Sequence, residues 1–365
     1  MIIVTTIKDV AAHAGVSHKT VSNVLGGRLG RVGVETERRV RASVATLNYR
    51  PNLAARHLRS THTGVLALAI PDLNNAYFSH IGDAIVTAAS AQGYTVLIDY
   101  TRGDRAEEAL VAHGLRPHLI DGVILSSLML DADDLRPELV PAPLVLLGER
   151  LFDAPYDHVA IDNVAAARLA TAHLLDLGRR RVAAIVSAEE AYQDHSATAT
   201  TRLRLRGYTE ALTTAGHAVD PRLVTSAGAF YRLDGARAMR RLLALDRPPD
   251  AVFCFNDLVA IGALHALHKA GRRIPDDVAV VGYDNIDEGL FATPSLTTIA
   301  PDKDEIGRRA VSLLIERVSG ARTGPPVHVD APFRLLVRTS TAGPGVVEEL
   351  ETERGAPTFE RAEHR

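Results

Sequence analysis

From Gly64 onward the chain alternates short apolar runs with longer alanine-rich amphipathic stretches, and few folds accommodate that pattern. The runs at 65–70, 95–100, 122–126, 144–147 and 159–161 read as one series of strands. A second series lies at 182–186, 223–227, 251–255 and 278–282, with helices expected at 165–177, 203–215, 234–245 and 257–270. Strands this uniformly apolar are buried on both faces, as in a parallel sheet covered by its crossover helices. The region up to Gly343 exceeds the roughly 100–200 residues of an ordinary domain. Its host chain is 46% apolar, enough to fill two cores. Two doubly wound parallel-sheet subdomains are therefore expected.

Ligands of such sheets bind beyond the carboxyl ends of the strands, which places a site in the cleft between the subdomains. The strand ends offer Pro71-Asp-Leu-Asn-Asn-Ala-Tyr-Phe78, Asn256-Asp257 and Tyr283-Asp284-Asn285, joined by an arginine-rich stretch at 201–208. Carboxylates, amides, an arginine and aromatic rings are the groups that satisfy a sugar's hydroxyls and cover its apolar face. Plain structural roles compete with this one: Asn256 and Asp284 as helix caps, Phe230 as core, Arg202 and Arg206 as solvated charges.

The N-terminal part has a different character. Thr6 can cap a first helix that buries Val10, Ala11 and Ala14, and Gly15 tolerates the positive φ that ends it. Ser17 can cap a second helix whose apolar side is Val16, Val21 and Val24. The other side carries Ser17, His18, Lys19, Ser22 and Asn23, short polar and cationic groups that suit a DNA major groove. A third helix, 35–47, completes a small core. Residues 1–62 hold ten Lys or Arg against Asp9, Glu35 and Glu37, a formal +7, which leaves −10 on the rest of a chain totalling −3. So concentrated a charge favours a phosphate backbone through counterion release. The glycine-rich connector 26–33 neither follows a strand nor ends in Lys-Ser/Thr, so it is not read as a nucleotide loop.

Two segments carry a resemblance. Asp9-Val-Ala-Ala-His-Ala-Gly-Val-Ser-His-Lys-Thr-Val-Ser22 and Asn48-Tyr-Arg-Pro-Asn-Leu-Ala-Ala-Arg-His-Leu58 resemble the lac repressor/galactose repressor family of bacterial regulators, and the likeness runs from residue 6 to about 343. It implies an all-α helix-turn-helix domain (1–49), a hinge helix and linker (50–62), and a periplasmic-binding-protein-like core (63–343). Within the core it implies one subdomain of about 63–162 plus 293–325 and another of about 163–292 plus 326–343. Residues 344–365, polar and without apolar periodicity, are expected to be a disordered tail.

The function it implies is a DNA-binding transcriptional regulator, a homodimer or tetramer on a near-palindromic operator, whose repression is controlled by a small ligand, expected to be a sugar. A purine or nucleoside corepressor is the open alternative. DNA contacts carried over are Thr6, Ser17, His18, Lys19, Thr20, Ser22 and Asn23, with Asn52, Ala55, Leu58 and Arg59 from the hinge. Leu58 would wedge into a minor-groove base step, and a helix of only about seven residues would form mainly on DNA. Effector contacts carried over are Asn75, Phe78, Arg204, Phe230, Asn256 and Asp284. Departures are Asn23 where relatives carry Arg, Gly33-Val34 where they start the third helix with Ser-Pro, and Gly148-Glu149-Arg150 where they often have Asp.

Other classes are disfavoured. The single Cys254 sits in an apolar run and reads as packing, and His265 and His268 lack partners at metal-ligand spacing. No nucleophile elbow, carboxylate pair or cofactor fingerprint is present, so neither an enzyme nor a cofactor or metal is expected. An exported sugar-binding protein would share the core, but the basic N-terminal unit and the lack of an export segment point to a cytoplasmic location without membrane contact.

Overall fold

The computed structural model describes residues 5–25, 32–49, 62–114, 119–148, 151, 154–187, 200–228 and 230–343. The hinge residues Asn52, Ala55, Leu58 and Arg59, the pair Glu149 and Arg150, and the 344–365 tail lie outside them. The chain divides into two compact units, Met1–Thr63 and Gly64–Arg365. Among the described residues no helix is long and apolar enough to cross a membrane.

The first unit contains α1 (Ile7–Ala14), α2 (His18–Leu25) and α3 (Val34–Thr46) around Val10, Ala11, Ala14, Val21, Val24 and Val40. Local chemistry sets its boundaries. The Thr6 hydroxyl accepts the Asp9 N–H while the Asp9 carboxylate accepts the Thr6 N–H at 2.8 Å, a reciprocal cap that satisfies two otherwise orphan donors. Gly15 closes α1 at φ 64°, and the Ser17 hydroxyl accepts the Thr20 N–H at 3.1 Å to start α2. α3 begins at Gly33 without a side-chain cap, as expected from the missing Ser-Pro.

The second unit holds two six-stranded sheets. In the first, β1 (Val65–Ile70), β2 (Thr95–Tyr100), β3 (Gly122–Ser126), β4 (Leu144–Leu147) and β5 (Asp157–Ala160) are all parallel, with helices α4 (Ala76–Ala91) and α5 (Arg105–Ala112) between them. The second sheet is built from β6 (Val182–Val186), β7 (Val224–Ser226), β8 (Ala251–Cys254), β9 (Ala279–Tyr283) and β10 (Thr297–Pro301), also parallel. Its helices are α6 (Asn163–Asp176), α7 (Thr200–Thr214), α8 (Arg232–Leu243), α9 (Asp257–Lys269) and the short α10 (Asp287–Leu290).

The crossovers differ from the sequence reading. The chain was expected to return to the first subdomain at 293, yet β10 pairs with β9 in the second sheet. Only α11 (Lys303–Val318) and β11 (His328–Asp330) rejoin the first sheet, where β11 lies beside β5 rather than in the second subdomain to which 326–343 had been given. β12 (Phe333–Leu336) then crosses back and runs antiparallel to β10. The reason lies in the buried hydroxyls of Thr297 and Thr298, which find partners only in the second subdomain, at the Arg338 carbonyl and the Asp257 carboxylate. β12 is short, because Thr339–Ala342 turn into α12.

Helices α8 and α9 touch through backbone. A Cβ added at Gly262 would overlap the Arg232 carbonyl oxygen, and one at Gly235 would overlap that of Val259. Because the obstacle is main chain, it cannot swing aside as a side chain would. Gly262→Val is expected to destabilise the core by at least about 3 kcal/mol, at or beyond the upper end for overpacking. Chemical unfolding of the two proteins checks this, and a loss under about 1 kcal/mol would mean the helices separate freely.

Candidate functional site

In the first unit, Ser17, His18, Lys19 and Ser22 are exposed on α2, while Thr20 and Asn23 are half-buried. Val21 and Val24 anchor the opposite face. Ser17 therefore has its structural role as a cap and still presents its hydroxyl, which is 2.9 Å from that of Thr20.

In the second unit, the six cleft residues expected from sequence converge. Asn75, Phe78, Arg204, Phe230, Asn256 and Asp284 all line one cavity of about 430 Å³, within the roughly 300–1,000 Å³ typical of small-molecule sites. Asn75 caps α4 by accepting the Tyr77 N–H at 3.0 Å, and Phe78 lies in the first turn of that helix, edge-on to Tyr77. Asn256 caps α9 by accepting the Val259 N–H at 2.7 Å, and its amide donates to the Phe230 carbonyl at 3.0 Å. The structural and site readings of the two asparagines thus coexist, since a capping residue stands at the end of its strand. Phe230 and Asp284 both have positive φ, 70° and 113°, a conformation that side chains other than Gly rarely adopt and that clusters at functional sites.

Arg204 is the most constrained of the six. Its Nε donates to Asn163 Oδ1 at 2.7 Å, Nη1 donates to the Phe255 carbonyl, and the guanidinium lies 3.4 Å above the Tyr283 ring centroid. Tyr283 donates its hydroxyl to the same Asn163 oxygen at 2.8 Å. Near it, Asp284 is buried, and burial pushes its carboxyl well above the usual carboxylate range; the nearby Asp257 adds to the rise, while the charges of Arg204 and Lys303 oppose it. The site thus places a fixed cation beside a carboxyl poised to hold or release a proton.

The comparisons with known proteins follow this division. Residues 6–52 match the family described as bacterial regulatory proteins, lacI family, and residues 171–341 match the periplasmic binding protein-like domain. The chain is 34% identical over 338 residues to the HTH-type transcriptional repressor CytR of Escherichia coli (strain K12), covering 92% of this chain and 96% of that protein. The chain belongs to the LacI family.

Two solved structures of LacI-family regulators resemble it over its length. One is the CelR–cellobiose complex, 32% identical with a TM-score of 0.67, covering 92% of this chain and 99% of the other. The other is the lac repressor dimer bound to operator and the anti-inducer ONPF, 27% identical with a TM-score of 0.79, covering 93% and 99%. This LacI-family chain is a DNA-binding transcriptional repressor and not an enzyme. Its one cysteine, Cys254, is fully buried, and burial pushes the thiol above its ordinary value, against any nucleophilic role.

Two residues that shape the cavity of this LacI-family core are not among those read from the sequence, Asn163 in its lining and Glu108 behind it. Asn163 follows β5 by a few residues, and the strand-end rule that found Asn256 could have found it too. Glu108 left no signal, since on an amphipathic helix it reads as solvated. It is instead fully buried and accepts from the Ser127 hydroxyl at 2.7 Å and from the N–H groups of Leu128, Met129 and Leu130 at 2.9, 3.0 and 3.3 Å. That carboxylate fixes the loop whose Ser126, Ser127 and Leu128 line the cavity.

Proposed function

We propose that this repressor is a homodimer whose hold on a near-palindromic operator is controlled by a small polyol, a sugar or sugar-like molecule, bound in the cleft. The observation that supports it most is the convergence of Asn75, Phe78, Arg204, Phe230, Asn256 and Asp284, from five separate stretches of chain, on one cavity. Two amides, a guanidinium and a carboxyl can bond a ring of hydroxyls, while Phe78 and Phe230 cover its apolar face. The CelR relative was solved with cellobiose, which supports the same ligand class.

On the DNA side, α2 enters the major groove. His18, Lys19, Ser22 and Asn23 meet base edges, and Thr6, Ser17 and Thr20 meet phosphates. Asn52, Ala55, Leu58 and Arg59 of the hinge meet the minor groove, with Leu58 as the wedge. Ligand occupancy and operator affinity are then coupled by one reciprocal free energy.

The test is selection of genomic fragments by the purified protein, followed by release with a panel of sugars and nucleosides. A near-palindromic site released by a sugar establishes the reading. A site held tighter by a purine or nucleoside would replace the sugar with a corepressor, and the lack of any selected site would end the proposal. Asn23 faces one symmetric base pair in this arrangement. Asn23→Arg is expected to move preference there from adenine toward guanine, by about 1–3 kcal/mol of discrimination, read by repeating the selection. An unchanged selected sequence would remove Asn23 from base readout.

A further inference from the structure

The cleft is bridged by a bond made entirely of protein. Tyr231, at the N-cap of α8, donates its phenolic O–H to the Asp72 carboxylate, just beyond β1. The two residues stand 159 positions apart, on different subdomains, and both line the cavity. Each end is set by its own segment. Asp72 Oδ1 accepts the Asn74 N–H at 2.8 Å, leaving Oδ2 for the tyrosine, and the Tyr231 N–H donates to Asp234 at 3.2 Å. Arg232, the next residue, pairs with Glu288 of α10 at 2.9 Å, and Asp287 of α10 stands 4.0 Å from His80 of α4 in the opposite subdomain. A second approach between the subdomains thus lies on the element that Arg232 ties to the tyrosine's helix.

A hydrogen bond across a hinged cleft exists only when the cleft is closed, so its free energy falls wholly on the closed state. We propose that Tyr231 and Asp72 form a latch that biases the ligand cleft toward closure before any ligand arrives. This rests on the cleft being the ligand site for its consequence. The latch would set the closed fraction from which every ligand response starts, and a ligand adds only its own differential affinity to that starting point. A bond from a hydroxyl to a carboxylate is of the charge-assisted kind. Its loss should raise the open fraction on the order of tenfold, given the typical strength of hydrogen bonds to charged groups.

The chain offers its own control for the experiment. Ala160 lines the cavity and is only 6% exposed, while Cys254, the single cysteine, is fully buried away from it. In full-length protein without ligand, Ala160→Cys supplies a thiol that a soluble disulfide reagent reaches when the cleft opens, whereas Cys254 reacts only on unfolding. Tyr231→Phe and Asp72→Asn should each speed modification of the introduced thiol about tenfold. The pair together should be no faster than the faster single variant, and Cys254 should stay unmodified throughout. Rates within twofold of the parent in both variants overturn the latch. So does reaction of Cys254 in step with the introduced thiol, which would make the pair a fold-stabilising contact and not a gate. A separate arm adds cellobiose, the ligand of the CelR structure, to the parent. Lack of protection there counts against the ligand reading alone, since the latch is judged on ligand-free rates.

Discussion

Arg204→Ala is expected to abolish the response to ligand while leaving operator selection unchanged. The guanidinium contributes an N–H to Asn163, another to the Phe255 carbonyl and a flat cationic face to Tyr283. Its removal leaves the Asn163 oxygen with the Tyr283 hydroxyl and withdraws the positive charge that opposes protonation of Asp284. Burial already lifts the Asp284 carboxyl, so in the variant it rises further and stays neutral. The cleft then loses its cation, and the Asp284 carboxyl is held in its neutral form more firmly than in the parent. With hydrogen bonds to charged groups worth roughly 1.5–3 kcal/mol each, loss of two such bonds from the guanidinium to a ligand corresponds to at least about a hundredfold in affinity. Arg204→Lys separates the causes: it keeps a charge near Asp284 but forfeits the planar fork and the stack on Tyr283. The measurement is operator release against ligand concentration. A variant released at the parent's concentration would place the ligand elsewhere.

Arg317→Ala is expected to cost about 3–5 kcal/mol of stability, the usual consequence of stranding one partner of a buried ion pair. Arg317 binds Asp157 through Nε and Nη2 at 2.7 and 2.8 Å, and the Asp157 side chain is 0% exposed against 19% for the arginine. The same guanidinium donates to the carbonyls of Gly324 and Pro325, while Asp157 also accepts the Val327 N–H at 2.8 Å. One pair therefore fastens the end of α11 and the approach to β11 onto β5.

Burial alone would raise the Asp157 carboxyl, but the bonds from Arg317 and Val327 and the charges of Arg317 and Arg322 outweigh it and hold the carboxyl below its ordinary value. A carboxyl depressed in the folded state stabilises above the ordinary value of 3.8 and loses that contribution as pH falls through the folded one. In the variant burial prevails, the carboxyl is raised, and its penalty fades as it protonates. The gap between the two proteins should thus be widest at neutral pH and narrow on acidification. Denaturant unfolding at a series of pH values from 7 to below 3.8 measures it. A gap below about 1 kcal/mol at neutral pH, or one that widens in acid, would refute the account.

The first unit was legible almost to the residue because its boundaries are local. Thr6 with Asp9, Gly15, and Ser17 with Thr20 act within one helical turn, so their spacing states the outcome. The strands of the core were legible for a similar reason, since a run buried on both faces must be apolar throughout. The six cleft residues could be named because a doubly wound sheet collects its strand ends on one side and the family resemblance indicated which ends to use.

The undetected features share a cause, which is that each joins residues far apart in the chain. No periodicity tells Thr298 that its hydroxyl will meet Asp257, 41 positions away, and that bond keeps β10 in the second sheet and moves the crossover. Glu108 looks solvated until its loop folds over it, and Gly262 looks like a weak helix residue until Arg232 lies against it.

The sequence by itself determined the helix-turn-helix, the two parallel sheets, the cleft and the chemical types that line it. These follow from caps, apolar periods and charge, which act over a few residues. Only the tertiary structure decided where the chain crosses between subdomains, which buried charge each carboxylate meets, and that Tyr231 closes on Asp72. Those outcomes are fixed when packing brings distant groups into contact and each buried polar atom must find a partner or forfeit its hydration.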